Sequence, residues 1–338
     1  MSREKGFKKI DLSTIIEENG KRIRRRIEQV LLSGVSNREL LSILKEISDN
    51  WKDVFRPALA SMSCEAVGGQ QEATDDAGLM FALASAGFGI HDDIIDRSQN
   101  KHFRITILGR HGLESALLVG DLLIVKAWTI VHEMIGNGCY PEKIKAVVKE
   151  YGKLNVEICE AEFMENLCRK KLDTELKTHE NILWKAMAEI EACTRIGAIL
   201  GNGDDNEVQA LAEFGRRLGF AYRLTDEVRD SLNIEGNLPH RIEHESVPLP
   251  ILFAAKSSEQ RRQRIQSIIQ KSPLAPAGIK ELLEICFESK AFEYVLNLAK
   301  KNEIKTIRAL RVLRPSRARD SLSFMGRQSL AHITDLIL

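Results

Sequence analysis

Apolar residues recur at spacings of three and four along most of the chain, with charged residues between them. The stretches "IIEENGKRIRRRIEQVL", "VQALAEFGRRLGFAYRL" and "GIKELLEICFESKAFEYVLNLAKK" show the pattern plainly, which is the period of an amphipathic helix. No convincing period-two run appears, and no tight-turn dipeptide joins alternating apolar stretches, so strands are not expected. Breakers rich in Gly, Pro, Asn and Ser fall at 33–37, 136–141, 201–206, 235–240 and 272–278, and they separate the helical stretches. The segments between them run to roughly 15–30 residues, the length of helices in a large bundle. There is no internal repeat, linker or low-complexity segment. The pattern predicts one all-α domain over residues 1–338, built as a large bundle of long antiparallel helices.

Composition fits a globular chain: 338 residues, 43% hydrophobic and 29% charged, with ample length for a large core. A formal net charge of +1 gives no reason to expect nucleic acid or an acidic membrane surface as a partner. The local basic runs "KRIRRRIEQV" and "IRALRVLRPSRAR" have helical spacing and read as solvated amphipathic faces. Six cysteines without a CxxC pair sit in apolar, helix-like surroundings and read as small core residues in a reducing compartment. "MSREKGFKKIDLS" contains no apolar signal-peptide core, and the longest apolar run, Ala77 to Ile90, falls short of the roughly 20 residues of a membrane span. A cytoplasmic, soluble protein is expected.

That apolar run ends in "GIHDDIIDRS", with Asp92, Asp93 and Asp96 inside five residues. Thr74, Asp75 and Asp76 are the candidate caps of its helix. Asp92 and Asp96 share a face, and Asp93 borders it. Carboxylates near a helix C-terminus oppose the macrodipole, and Ile94 and Ile95 keep the segment packed. A divalent cation relieves their repulsion best, and an oxygen-only cluster suits Mg²⁺, which keeps positions open for substrate phosphates. A solvated acidic turn is the alternative. Residues 226–230 repeat the arrangement in "FGRRLGFAYRLTDEVRDSLN", as Asp226, Glu227 and Asp230. Two such clusters on long helices can face each other across a bundle and hold metal ions between them. A di-iron bundle needs Glu-x-x-His pairs, and "EICEAEFMEN" has no histidine at that offset.

Over roughly residues 50–255 the sequence resembles the trans-isoprenyl diphosphate synthases, or polyprenyl synthetases. "HDDIID" and "DEVRD" resemble the family's two aspartate-rich motifs. "GLESALLVGDLLI", "FRPAL" and "KAMAEIEACTRIGAIL" are similar to its Gly-Asp, Arg-Pro and Lys-Thr…Gly-Ala segments. The resemblance implies a helical bundle around a central cavity. It implies a prenyltransferase that condenses an allylic diphosphate with isopentenyl diphosphate, with Mg²⁺ ions as cofactors and a homodimer as the assembly. It implies Asp92, Asp93 and Asp96 as ligands of one metal set, and Asp226 and Asp230, with Glu227 nearby, as candidates for the other. It places Lys185 on the diphosphate and Arg56, Lys101, His102, Arg104 and Arg223 as the remaining positive charge. Asp121, acidic in an apolar run, is expected to be a buried hydrogen-bond anchor, and His91 a packing or supporting residue.

Some positions depart from the pattern. Asp53 stands where the family has lysine, although Lys52 is adjacent. Ser85 replaces a histidine, Lys101 and His102 replace paired arginines, and Phe103 replaces a glycine. Arg223 replaces a glutamine, and Asn237 and Ser246 replace lysines. The metal–allylic half is retained, whereas the acceptor half is rebuilt. Phe88 and Gly87, just before the first motif, bear on product length; Phe88 would partly block a growing chain and Gly87 leave room beside it, so a short-to-medium product is expected. The rebuilt half keeps two other readings open: ionisation with a different acceptor, giving a cyclised, hydrolysed or irregularly coupled product, and a weakly active subunit supporting a partner.

Overall fold

The computed structural model describes residues 12–337 other than 52, 102, 138, 272 and 273; Lys52 and His102 therefore lie outside the described residues. Helices dominate the chain: α1 (Leu12–Leu32), α2 (Arg38–Asp49), α3 (Phe55–Ala66), α4 (Asp75–Ile95), α5 (Ile107–Gly136), α6 (Pro141–Leu167), α7 (Leu176–Ala186) and α8 (Ala188–Leu200), then α9 (Asp205–Ser231), α10 (Leu238–His244), α11 (Leu249–Ser257), α12 (Glu259–Ile269), α13 (Pro276–Glu288), α14 (Ala291–Ala309) and α15 (Arg317–Ile337). The fold is all-α, as the periodicity predicts.

Each of the five breakers marks a helix boundary among the described residues, for local reasons. After α1, Gly34 takes a positive φ of 72°, which glycine adopts freely. Asn37 then starts α2, its Oδ1 accepting from the Leu40 N–H at 2.9 Å. At the start of α9, Asp204 and Glu207 form a capping box, satisfying two otherwise orphaned donors. Thr74 precedes α4 but makes no side-chain cap.

One feature departs from the expectation of no strands. Asn100–Lys101 (β1) and Arg104–Ile105 (β2) pair antiparallel as a two-residue hairpin, too short to leave a periodic signature. Phe103 sits in its turn at φ 60°, at the position of the family's glycine, where a side chain costs about 1–2 kcal/mol.

The core falls into two apolar clusters. The larger centres on α3, α4, α5 and α8, and the second on α9, α11, α13 and α14. Helices α4 and α5 approach unusually closely. A Cβ on Gly87 would lie 2.8 Å from the Gly120 carbonyl oxygen, and one on Gly120 would lie 2.5 Å from the His91 ring. Gly87 is therefore packed on α5 and opens no room for a chain, contrary to its expected role. Asp121 is also not the buried anchor expected. Its side chain is 60% exposed beside His91 Nε2, at 3.3 Å, because residue 121 falls on the outer face of α5.

The segment Gln71–Ile95 and α5 are each long and apolar enough to cross a membrane by length and composition, although the longest uninterrupted apolar run is short of a span. The apolar residues of α4 largely form core. Those of α5 divide between core and an outer face where Leu117, Leu118, Val125 and Ile135 are exposed; Val156 and Phe163 of α6 are exposed as well.

Candidate active site

A cavity of about 1080 Å³ opens between α4, α6, α9 and α10. From α4, Asp92 and Asp96 line it, and from α9, Asp226 and Asp230 do so. In each helix these residues are four apart and share a face. The intervening acid of each motif is rotated by about 100° from its neighbour, and the structure places it elsewhere. Asp93 lines a smaller adjoining cavity instead. Glu227 is fully buried on the far side of α9. There it accepts hydrogen bonds from Arg241, from His179 Nε2 at 3.0 Å and from the backbone N–H of Leu249.

The expectation that Glu227 joins the metal set is thus corrected: its oxygens are committed to the protein. Burial alone would raise its pKa, yet Arg241 and His179 hold it well below the usual carboxylate range. The arginine extends the same network to the cavity by donating to Asp230 Oδ2. Asp93 lines a different cavity from Asp92 and Asp96. Lys101 spans the divide, its Nζ 2.6 Å from Asp92 Oδ2 and 3.4 Å from Asp93 Oδ1. Burial works against the Lys101 charge, but these carboxylates outweigh it and hold the ammonium well protonated.

The cavity is crowded with negative charge. Asp96, which caps α4, is pushed up to about 9 by burial first and then by Asp92, Glu245 and Glu162. Glu162 rises to about 7, again through burial followed by Asp92 and Glu165. Asp226 is raised by burial, with Asp230 and Glu227 adding to it and Arg223 opposing. Glu162, Glu165 and Glu245 were missed as cavity residues in the sequence. The first two lie three apart in "EICEAEFMEN", a run weighed only for di-iron binding; Glu245 stands alone and gives no signal.

Among the described residues, no three His, Cys, Asp or Glu side chains form a ready-made metal nest. Carboxylate oxygens stand on two facing walls. Burial and neighbouring carboxylates raise the acids between them, and added positive charge reverses such shifts. This donor set fits divalent ions that take a few carboxylates and complete their shell with water and phosphate oxygens. Asp92, Asp96, Asp226 and Asp230 are the residues that would hold them.

The expected cations divide in the same way. Arg223 lines the cavity, with its guanidinium 3.7 Å from Glu165. Arg56 also reaches it, but Nε donates to Glu189 at 2.6 Å and Nη1 to Asp53 at 2.8 Å. Arg104 lines the smaller cavity. Lys185 does not line the large cavity. It occupies the last turn of α7 with Nζ 2.6 Å from Glu160, which corrects its expected place on the diphosphate. Arg241 carries no motif that would single it out from sequence. Phe88 does line the cavity, together with Ile124 and Ile158.

Facing carboxylates on two long helices, basic side chains beside them and an apolar wall behind suit a class of all-α enzyme whose substrate is a phosphate ester carrying an apolar chain. Residues 37–286 match the polyprenyl synthetase family. The chain is 31% identical to the short chain isoprenyl diphosphate synthase of Methanothermobacter thermautotrophicus over 80% of its own length and 84% of that protein's. Its fold matches a geranylgeranyl pyrophosphate synthetase from Pyrococcus horikoshii Ot3, with a TM-score of 0.84 at 24% identity, covering 95% of this chain and 98% of that one. It also matches a Caulobacter crescentus CB15 polyprenyl synthase complexed with calcium and isoprenyl diphosphate, with a TM-score of 0.80 at 19% identity over 95% and 96% of the two chains. The chain belongs to the polyprenyl synthetase family, whose members are trans-prenyltransferases.

Two measurements test this account of the charges. Asp96 and Glu162 bind protons more tightly in the folded than in the unfolded chain, so stability is lost as pH rises from the ordinary carboxylate range through about 7 and about 9, following the linkage between proton binding and folding. Thermal melting of the metal-free protein should decline across that window, and Mg²⁺ with pyrophosphate should restore the loss at its upper end. Substitution should separate the two neighbours on α9. Glu227→Ala breaks a buried ion network and should cost about 3–5 kcal/mol in urea unfolding. Asp226→Asn should leave metal-free stability intact and abolish the gain from Mg²⁺ with pyrophosphate.

Proposed function

We propose that the protein ionises an allylic diphosphate with the help of Mg²⁺ and condenses the prenyl group with isopentenyl diphosphate, giving a longer trans-prenyl diphosphate. The observation that carries this reading is the pairing of Asp92 and Asp96 with Asp226 and Asp230 across one cavity. Bound divalent ions would supply fixed positive charge for the departing diphosphate. The chain's own residues account for the rest. Asp92 and Asp96 on one wall, and Asp226 and Asp230 on the other, orient the metal–diphosphate group. Arg223 adds positive charge at the same level. Phe88, Ile124 and Ile158 form the apolar wall against which the prenyl chain lies and which keeps water from the cation.

For product length we favour the short-to-medium range. Phe88 stands one helical turn before Asp92 and lines the cavity. The similar proteins carry names from short-chain and geranylgeranyl to polyprenyl synthases, so resemblance alone selects no length. A second reading has its own support: Arg56, the arginine expected at the acceptor, is bound by two carboxylates of the same chain, which favours an acceptor other than isopentenyl diphosphate. The exposed apolar residues of α5 and α6 fit a homodimer packed through these helices, since an unpartnered apolar face of this kind marks an interface. Six free cysteines fit a reducing compartment, and we place the protein in the cytoplasm.

The decisive assay offers dimethylallyl, geranyl, farnesyl and geranylgeranyl diphosphates in turn, with Mg²⁺ and labelled isopentenyl diphosphate, following products and pyrophosphate together. Chain extension is expected, with a loss of at least about a hundredfold in kcat for Asp92→Ala or Asp226→Ala, the scale on which removing an electrostatic stabiliser acts. Phe88→Ala should lengthen the product. Extension that survives both aspartate substitutions would sink the reading. Light scattering should return twice the chain mass, and Leu118→Lys should reduce it to the single-chain value; a monomeric parent protein would overturn the dimer.

A further inference from the structure

The acceptor end of the cavity carries an arrangement that extension alone does not require. Arg56 is shared between the large cavity and the smaller one beside it, as are Ser85 and Lys101. Its guanidinium is closed between Asp53 Oδ2 at 2.8 Å and Glu189 Oε2 at 2.6 Å. The other cations of the smaller cavity are engaged as well. Lys101 is held by Asp92 and Asp93, and Arg110 by Glu46 at 2.6 Å. Among the described residues of that cavity, Arg104 is the cation with no ion pair. An arriving diphosphate would have to displace carboxylates from their partners, and this subtracts from its affinity.

Glu189 supplies the second observation. It is 7% exposed and lines the large cavity. Only Oε2 is used by Arg56, and Oε1 has no hydrogen-bond partner. A buried carboxylate oxygen left without a donor is costly, and a ligand carrying an O–H group would satisfy it. Burial raises the Glu189 pKa, and Asp53 adds to that against the opposing Arg56, so the group is suited to accept a proton as well as a hydrogen bond.

We propose that Asp53 and Glu189 set acceptor specificity, weakening the site for a diphosphate-bearing acceptor and admitting an uncharged hydroxyl acceptor, of which water is the smallest. This rests on the allylic ionisation proposed above. In the added branch, the C1–O bond of the allylic diphosphate breaks and the diphosphate leaves with the electron pair. The hydroxyl oxygen then forms the new C1–O bond, and its proton passes to Glu189 Oε1. With water the product is the prenyl alcohol, released beside the extended prenyl diphosphate.

The test uses full-length protein and the variants Asp53→Asn/Glu189→Gln and Asp53→Lys/Glu189→Leu, the first pair close in shape to the parent. Isopentenyl diphosphate binding is measured by calorimetry, and the product partition is measured with geranyl diphosphate, Mg²⁺ and isopentenyl diphosphate. The parent protein should form geraniol as a measurable share of product. Both variants should bind isopentenyl diphosphate at least tenfold more tightly and shift the partition toward extended diphosphate. Unchanged affinity and partition in the shape-preserving variant would overturn the proposal, as would a parent protein that forms no geraniol while extending normally. If no pyrophosphate is released from geranyl diphosphate under any condition, the allylic reading itself fails. Calorimetry then still decides whether Asp53 and Glu189 weaken diphosphate binding.

Discussion

Like charges held in a partly desolvated cavity are the constraint on which the rest of this structure depends. Two carboxylates in such surroundings repel each other far more strongly than in water, and burial of each disfavours its charged form. The fold answers with its own cations. Arg241 is shared by Glu227 and Asp230, Lys101 by Asp92 and Asp93, and Arg223 faces Glu165. Even so, Asp96 stays at about 9 and Glu162 at about 7, so neutralisation is incomplete. A bound cation would supply the balance, and stability and ligand binding would then be linked through the same groups.

Helical geometry decides which acids take part. A step of four residues returns a side chain to nearly the same face, whereas a step of one turns it by about 100°. Asp92 and Asp96, like Asp226 and Asp230, keep the cavity face. Asp93 and Glu227 cannot share it. The consequences differ because the surroundings differ. Helix α4 has a second cavity on the side that Asp93 meets. Helix α9 is enclosed there, and Glu227 meets His179, Arg241 and the start of α11 instead. One motif geometry thus yields an adjoining-site acid in the first helix and a structural anchor in the second.

Much of this was legible in the sequence, for identifiable reasons. Helices and their boundaries follow from apolar period and from breakers such as Gly34 and the Asp204 cap, all local signals. The two aspartate motifs announce themselves because acids after an apolar run conflict with both macrodipole and packing. What escaped depends on contacts between distant segments. Lys185 is carried to Glu160 by the packing of α7 against α6, and Gly87 is absorbed by α5. Asp121 lands on the outer face of a helix whose apolar residues are divided between core and surface. Arg241, Glu189 and Glu245 are single charged residues without a motif around them, and only the fold gives them neighbours.

The electrostatic contrast between the two ends of the cavity also bears on the kind of protein this is. Buried ion pairs seldom add net stability, and apolar replacements of similar size often do better. A chain serving only as a scaffold would have no physical use for Asp92, Asp96, Asp226 and Asp230 around an open cavity, where burial and neighbouring carboxylates raise the pKa of Asp96 and Asp226. Their retention makes sense where a charged ligand arrives to complete the site. At the acceptor end the opposite holds: Arg56 already has two carboxylate partners and needs no anion to balance it. The two ends of the cavity thus differ in the charge they still lack, and it is this difference, rather than cavity volume, that sets them apart.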